Sequence, residues 1–163
     1  GVVSSCHHRG EPVVTDLVNL PQRLFPVGRL DKASSGLLLL TNDGELAHRL
    51  MHPRHHVEKC YLVRVRGHLS AENRKRLELG VRLDDGMTAP AVINNLRSAG
   101  ANCWFEIVLR EGRNRQVRRM CEQVGHEVLR LKRIRVGSLL LGDLRPGQYR
   151  LLTEPEIERL KNA

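Results

Sequence analysis

Apolar residues return at every second position in separated stretches of this sequence, a period that dictates sheet more strongly than any other feature of the chain. Tyr61, Val63 and Val65 alternate with Leu62, Arg64 and Arg66, and Cys103 to Leu109 repeats the pattern. Successive side chains of a strand leave on opposite faces, so each run predicts a half-buried strand. Val128 to Val136 is predicted as a basic strand and Leu37 to Leu40 as a short buried one. Helical spacing occurs between them. Thr41-Asn42-Asp43-Gly44 can cap a short helix carrying Leu46, Leu50 and Met51, which Pro53 closes. Ser70 can cap a helix over Ala71 to Leu79 that Gly80 ends, and Val81-Arg82-Leu83 leads into an Asp84-Asp85-Gly86 turn. A helix from Asn114 to Val124 aligns Val117, Met120, Cys121 and Val124 on one face. Pro146-Gly147 predicts a turn, and Thr153-Glu154-Pro155-Glu156 a capping box for a terminal helix.

The strands outnumber the helices and do not alternate regularly with them. The expected class is therefore α+β, with a mixed, largely antiparallel central sheet flanked by helices. Without repeats or a linker, residues 1–163 are expected to form a single domain. The run Leu37 to Leu40 is the longest aliphatic stretch, far too short to cross a bilayer, and no membrane is expected as a partner.

Charge narrows the partner. Lys and Arg number 27 against 18 Asp and Glu, a net charge of +9 and a pI near 10.1, which favours a polyanion. Nothing here has the basic-and-bulky faces of an interfacial helix, so nucleic acid is the better match. With only five Phe, Tyr and Trp residues, binding must rest on Arg, Lys and backbone rather than on a stacking platform. Cys6, Cys60, Cys103 and Cys121 have neither zinc-ribbon nor disulfide-framework spacing, so reduced thiols and a cytoplasmic location are expected. His7-His8, His48, His52, His55 and His56 lack Cys or carboxylate partners at metal spacing. They are surface histidines near RNA rather than a metal site, and no metal is expected. The apolar start at Gly1-Val2-Val3 has no signal-peptide pattern, and the chain is expected to have been cut from something longer.

From Arg110 to Arg135, nine Arg or Lys residues face three acids, a basic helix followed by a basic strand. A charge run is ordinarily a solvated face. Arginine supplies eight of the nine cations, and its planar fork suits phosphate. Gly28-Arg29-Leu30-Asp31 precedes Lys32-Ala33-Ser34-Ser35-Gly36 and the buried run. On local grounds Asp31 is a turn former or cap. Set at the mouth of a sheet between Arg29 and Lys32, it can also serve as a nucleophile, or stabilise an oxocarbenium-like centre on a sugar. No second acid pairs with it, since Asp43 and Glu45 are better explained as helix cap and first-turn charge.

Gly28-Arg29-Leu30-Asp31-x-x-Ser34-x-Gly36, running on through Leu37-Leu38-Leu39-Leu40-Thr41-Asn42-Asp43-Gly44, resembles the catalytic motif of pseudouridine synthases of the RsuA/RluB type, which modify ribosomal RNA. Lys59-Cys60-Tyr61 is similar to that family's Lys-x-Tyr strand, and Glu111 to Met120 to its basic helix motif, which Leu131-Lys132-Arg133-x-x-Val136 continues. The family pattern normally opens with a Lys-Pro pair just before the position of Gly1, and many members carry a small RNA-binding module ahead of the catalytic domain.

The resemblance implies isomerisation of a specific uridine in RNA, most simply ribosomal RNA, free or within an assembling subunit, by a monomer without a cofactor. It assigns catalysis to Asp31, Tyr61 and Arg118: Asp31 as carboxylate nucleophile, Tyr61 stacking on the flipped base and helping remove its C5 proton, and Arg118 as the ion-pair partner of Asp31. Arg118 lies roughly 110° from the centre of the apolar stripe of its helix, nearer the buried face than Arg115 or Arg119. Substrate binding falls to Arg29, Lys59, Gln116 and Leu131, with Arg113, Arg115, Arg119, Lys132 and Arg133 left for phosphates. The alternative of another class is a non-catalytic basic RNA-binding or ribosome-assembly module, which explains the charge but not the coincidence of Asp31, Tyr61 and Arg118.

Overall fold

The computed structural model describes Val18 and residues 20–162. Cys6, His7-His8 and the apolar start lie outside the described residues. Short strands β1 (Phe25–Val27), β2 (Ser35–Gly36) and β3 (Leu39–Thr41) lead to helix α1 (Gly44–Met51) and a 3-10 turn, Pro53–His55. Then come β4 (Lys59–Arg66), α2 (Ala71–Leu79), the hairpin β5 (Arg82–Leu83) and β6 (Gly86–Met87), and the long pair β7 (Val92–Ala99) and β8 (Asn102–Leu109). Helix α3 (Gln116–Gln123), β9 (Val128–Val136), β10 (Leu139–Leu140) and α4 (Glu154–Lys161) complete the order. The fold is α+β. Its main sheet runs β10-β9-β4-β8-β7, all antiparallel, with β2 added parallel to β9.

Alternation places Val63, Val65, Cys103, Phe105, Ile107 and Leu131 on one face of this sheet, where they bury against Leu77 of α2 and Val117, Met120, Cys121 and Val124 at the α3 stripe. A second core joins the β1–β3 pair to α1 and α4 through Val27, Leu39, Leu50, Val57, Val136 and Leu160. The helix ends are set as their residues demand. Asp43 accepts the amides of Glu45 and Leu46, Ser70 caps α2, and Thr153 with Glu156 forms a reciprocal capping box. Cys60, Cys103 and Cys121 are buried and unbridged, and burial pushes the Cys121 thiol up to about 12. No helix among the described residues is long and apolar enough to cross a membrane.

Two expectations need correction, and strand β7 has no counterpart among them. The run Leu37 to Leu40 is not one strand, because the chain changes sheets within it: β2 pairs with β9 and β3 with β1. Gly36 makes the turn possible. Its φ is +115°, and a Cβ there would lie 2.2 Å from the Arg133 carbonyl oxygen. Strand β7 was not anticipated, since its alternation is masked by Asn94, Asn95 and a register shift between Asn94 and Arg97. Helix α3 starts at Gln116 rather than Asn114 because Arg115 takes the left-handed conformation, φ 50° and ψ 35°, as N-cap.

Candidate active site

A cleft of about 680 Å³ opens along the seam between the two cores. Its apolar wall takes Val27, Leu39, Leu50, Val57 and Val136 from one core and Leu109, Val117 and Leu131 from the other. Its polar wall is assembled from three sources: the β1–β2 loop with Arg29, Asp31 and Ser34; strand β4 with Lys59 and Tyr61; and the 110–116 segment entering α3.

Asp31 stands where its loop turns back, the Ser34 amide donating to the Asp31 carbonyl at 2.8 Å. Its carboxylate faces Arg115 at 3.9 Å, and both side chains are partly open to solvent. Arg118 does not pair with it. Arg118 Nη2 instead donates to the Ala33 carbonyl at 3.0 Å and to Ser34 Oγ at 3.4 Å, while its Nε is buried without a partner. The difference begins at the start of α3: the left-handed N-cap is Arg115, whose side chain lines the cleft, while Arg118, a turn later, reaches the 33–34 end of the loop instead. Arg118 thus grips the segment that carries Asp31.

Tyr61 projects from β4 into the cleft and packs on the edge of the first core, with Leu131 nearby on β9. Two residues earlier, Lys59 is half-buried, and burial followed by the Arg133 charge lowers its pKa. Its Nζ lies so near Gly112 that a Cβ there would sit 3.4 Å away. Arg133 is itself buried; its Nε donates to the Leu37 carbonyl at 2.8 Å, and its own carbonyl accepts from the Leu37 amide.

Other expected phosphate ligands have different employment. Arg113 donates to the carbonyls of Gly86 at 3.1 Å and Met87 at 2.7 Å, and Arg119 grips both carboxylate oxygens of Asp85 at 3.0 and 3.1 Å. The Arg119 hydrogen bond is the main reason the Asp85 carboxyl lies below its usual range. Gln116 is buried; its Oε1 accepts the Arg113 amide at 3.0 Å and its Nε2 donates to Glu111 at 2.7 Å. Glu111 also accepts the Ala89 amide at 2.9 Å. Arg113 and Arg119, expected as free phosphate ligands, therefore fasten the start of α3 to the β5–β6 hairpin, and Gln116, expected to bind substrate, is held by Glu111 and the Arg113 amide. Lys132 is exposed on the opposite face of β9 from Leu131 and Arg133, so it does not reach the cleft. Sequence reasoning missed Asp85 and Glu111 as anchors; an isolated turn acid carries no sign of its distant arginine. His52 and His56 of the histidine cluster do line the cleft.

Residues 4–123 match the family model described as RNA pseudouridylate synthase. Over 165 aligned residues the chain is 47% identical to ribosomal large subunit pseudouridine synthase B of Bacillus subtilis, covering 99% of this chain and 68% of that one. It is 45% identical to the protein of the same name from Pseudomonas aeruginosa, covering 93% of this chain and 40% of the relative. A crystal structure of a pseudouridylate synthase superposes with a TM-score of 0.87 at 34% identity, over 98% of this chain and 69% of that one.

Proposed function

The chain belongs to the RNA pseudouridylate synthase family, and from that premise we propose that it isomerises one uridine of ribosomal RNA to pseudouridine, acting as a cytoplasmic monomer on free RNA or an assembling subunit. The observation that carries the reading is the convergence of Asp31, Tyr61 and Leu131 on a single cleft large enough for a nucleotide taken out of its stack. The names of the Bacillus and Pseudomonas relatives favour ribosomal RNA.

In this mechanism the target base enters between Tyr61 and Leu131, at a cost of a few kcal/mol for unstacking. Asp31 attacks the ribosyl group as the N1–C1′ bond breaks. The uracil turns, C5 bonds to C1′ as Asp31 departs, the C5 proton leaves with help from the Tyr61 hydroxyl, and N1 takes up a proton. Arg115 supplies the cation facing Asp31, and Arg118 holds the loop behind it. Nothing is oxidised or reduced.

Incubation with ribosomal RNA separates the readings. Pseudouridine is expected; free uracil would mark a glycosidase, and neither product a binding module. Asp31→Asn should keep RNA binding and abolish product, because an amide cannot act as the carboxylate nucleophile. An active Asp31→Asn protein would sink the mechanism.

A further inference from the structure

Four strands bring Arg130, Arg64, Trp104 and Arg97 into one cross-strand row: Arg130 opposes Arg64, Arg64 opposes Trp104, and Trp104 opposes Arg97. Val63, Val65, Cys103, Phe105 and Leu131 take the core side of these strands, so the row lies on the other face, turned away from the cleft. Lys132, opposite Leu62 in the adjoining row, adds a further cation.

Like charges set directly opposite one another in a sheet oppose folding. Several arginines elsewhere are paired with carboxylates: Arg66 with Glu127, Arg110 and Arg135 with Glu58, Arg119 with Asp85 and Arg150 with Glu156. Among the described residues Arg64, Arg97 and Arg130 have no such partner. Glu106, the nearest acid by register, accepts a hydrogen bond from Asn95. The Arg64 guanidinium lies over the Trp104 ring, 5.8 Å from its centroid, and its Nε is buried without a hydrogen-bond partner. The row thus concentrates three arginines that no carboxylate among the described residues pairs; Glu106, in the adjoining row, is held by the neutral Asn95 amide.

We propose that this back face is a second RNA-binding surface, one that grips the phosphodiester backbone irrespective of sequence. Three interstrand spacings make the row about 14 Å long, so it presents a line of forks rather than a point charge. Arginine forks match phosphate oxygens in pairs, and a line of them matches a polyphosphate strand better than a single acidic side chain. The choice of RNA as the polyanion rests on the function proposed above. The presence of a polyanion site rests on the row itself.

Trp104 is the sole tryptophan of the chain, so its emission reports this face and not the cleft. The unaltered protein is titrated with an in vitro transcribed fragment of ribosomal RNA and, separately, with polyglutamate. RNA should change Trp104 emission in step with binding. The Arg97→Gln/Arg130→Gln double variant, altered at two exposed positions, should lose that change, bind about tenfold more weakly at low salt, and show a log-log salt slope shallower by about 2. Silent Trp104 emission with an unaltered slope would overturn the proposal. So would a response to polyglutamate but not to RNA, which would assign the face to an acidic protein. Pseudouridine formation by the unaltered chain is measured in parallel. Activity with a silent Trp104 removes the second surface alone, whereas inactivity with a responsive Trp104 removes only the proposed function.

Discussion

Arg115 sits at the N-cap of α3 with positive φ, a conformation that costs a side-chain-bearing residue about 1–3 kcal/mol and here carries its guanidinium to Asp31. Glycine would hold the same backbone without strain. Arg115→Gly is therefore expected to unfold at nearly the same denaturant concentration as the parent, within about 1 kcal/mol, while losing most of its single-turnover rate. A large loss of stability would show that the arginine serves the helix and not the carboxylate. Lys59 makes the converse case. Its folded pKa lies below the ordinary lysine value of 10.5, with burial as the main cause, so holding it charged costs stability at neutral pH. Between the lowered pKa and 10.5 the unfolded chain binds more protons than the folded one. Stability must therefore rise with pH across that window. Lys59→Met should accordingly be more stable than the parent at pH 7, and denaturation curves should show the gain shrinking as pH climbs toward 10.5. An equal gain at both ends would remove the buried charge as its cause.

At the scale of elements, the Asp31 loop is fixed at its far end by β2, two residues long, which among the described residues pairs with β9 alone. That pairing exists because Gly36 lets the chain approach the Arg133 backbone more closely than any side chain permits. Gly36→Ala should cost about 2–4 kcal/mol and displace the loop, so activity should fall further than the fraction unfolded explains. Thermal melts alongside turnover would check it; full activity at normal stability would mean that β2 does not position Asp31. The sequence disclosed elements whose determinants are local: the caps at Ser70 and Thr153, the stripe of α3, the alternation of β4 and β8. It was silent where distant partners decide. Leu37 to Leu40 has the composition of one strand, yet the Leu37–Arg133 backbone bond and the β1 edge divide it between two sheets. For the site, the motifs located Asp31 and Tyr61. They could not tell which arginine faces the carboxylate, because that depends on the backbone of one residue, Arg115. Nor could they assign Arg113 and Arg119, whose acceptors come from a hairpin some thirty residues earlier.

Across the whole molecule, a count of 27 Lys and Arg overstates what the cleft can offer RNA, since many arginines are already neutralised by acids. The cleft cations open to a backbone centre on Arg29 and Arg115 at its rim, whereas Arg113 and Arg119 are turned to the β5–β6 hairpin. If about five phosphates are held in all, the logarithm of affinity should fall against the logarithm of salt with a slope between roughly −3 and −5. Arg29→Gln should flatten that slope by about 1. Arg119→Gln should leave it nearly unchanged while lowering the melting temperature, because the loss falls on Asp85 rather than on RNA. Anisotropy titrations of one RNA at several salt concentrations distinguish the two. If Arg119→Gln flattened the slope as much as Arg29→Gln, the Asp85 pair would have to open on binding, and the hairpin would then belong to the RNA surface.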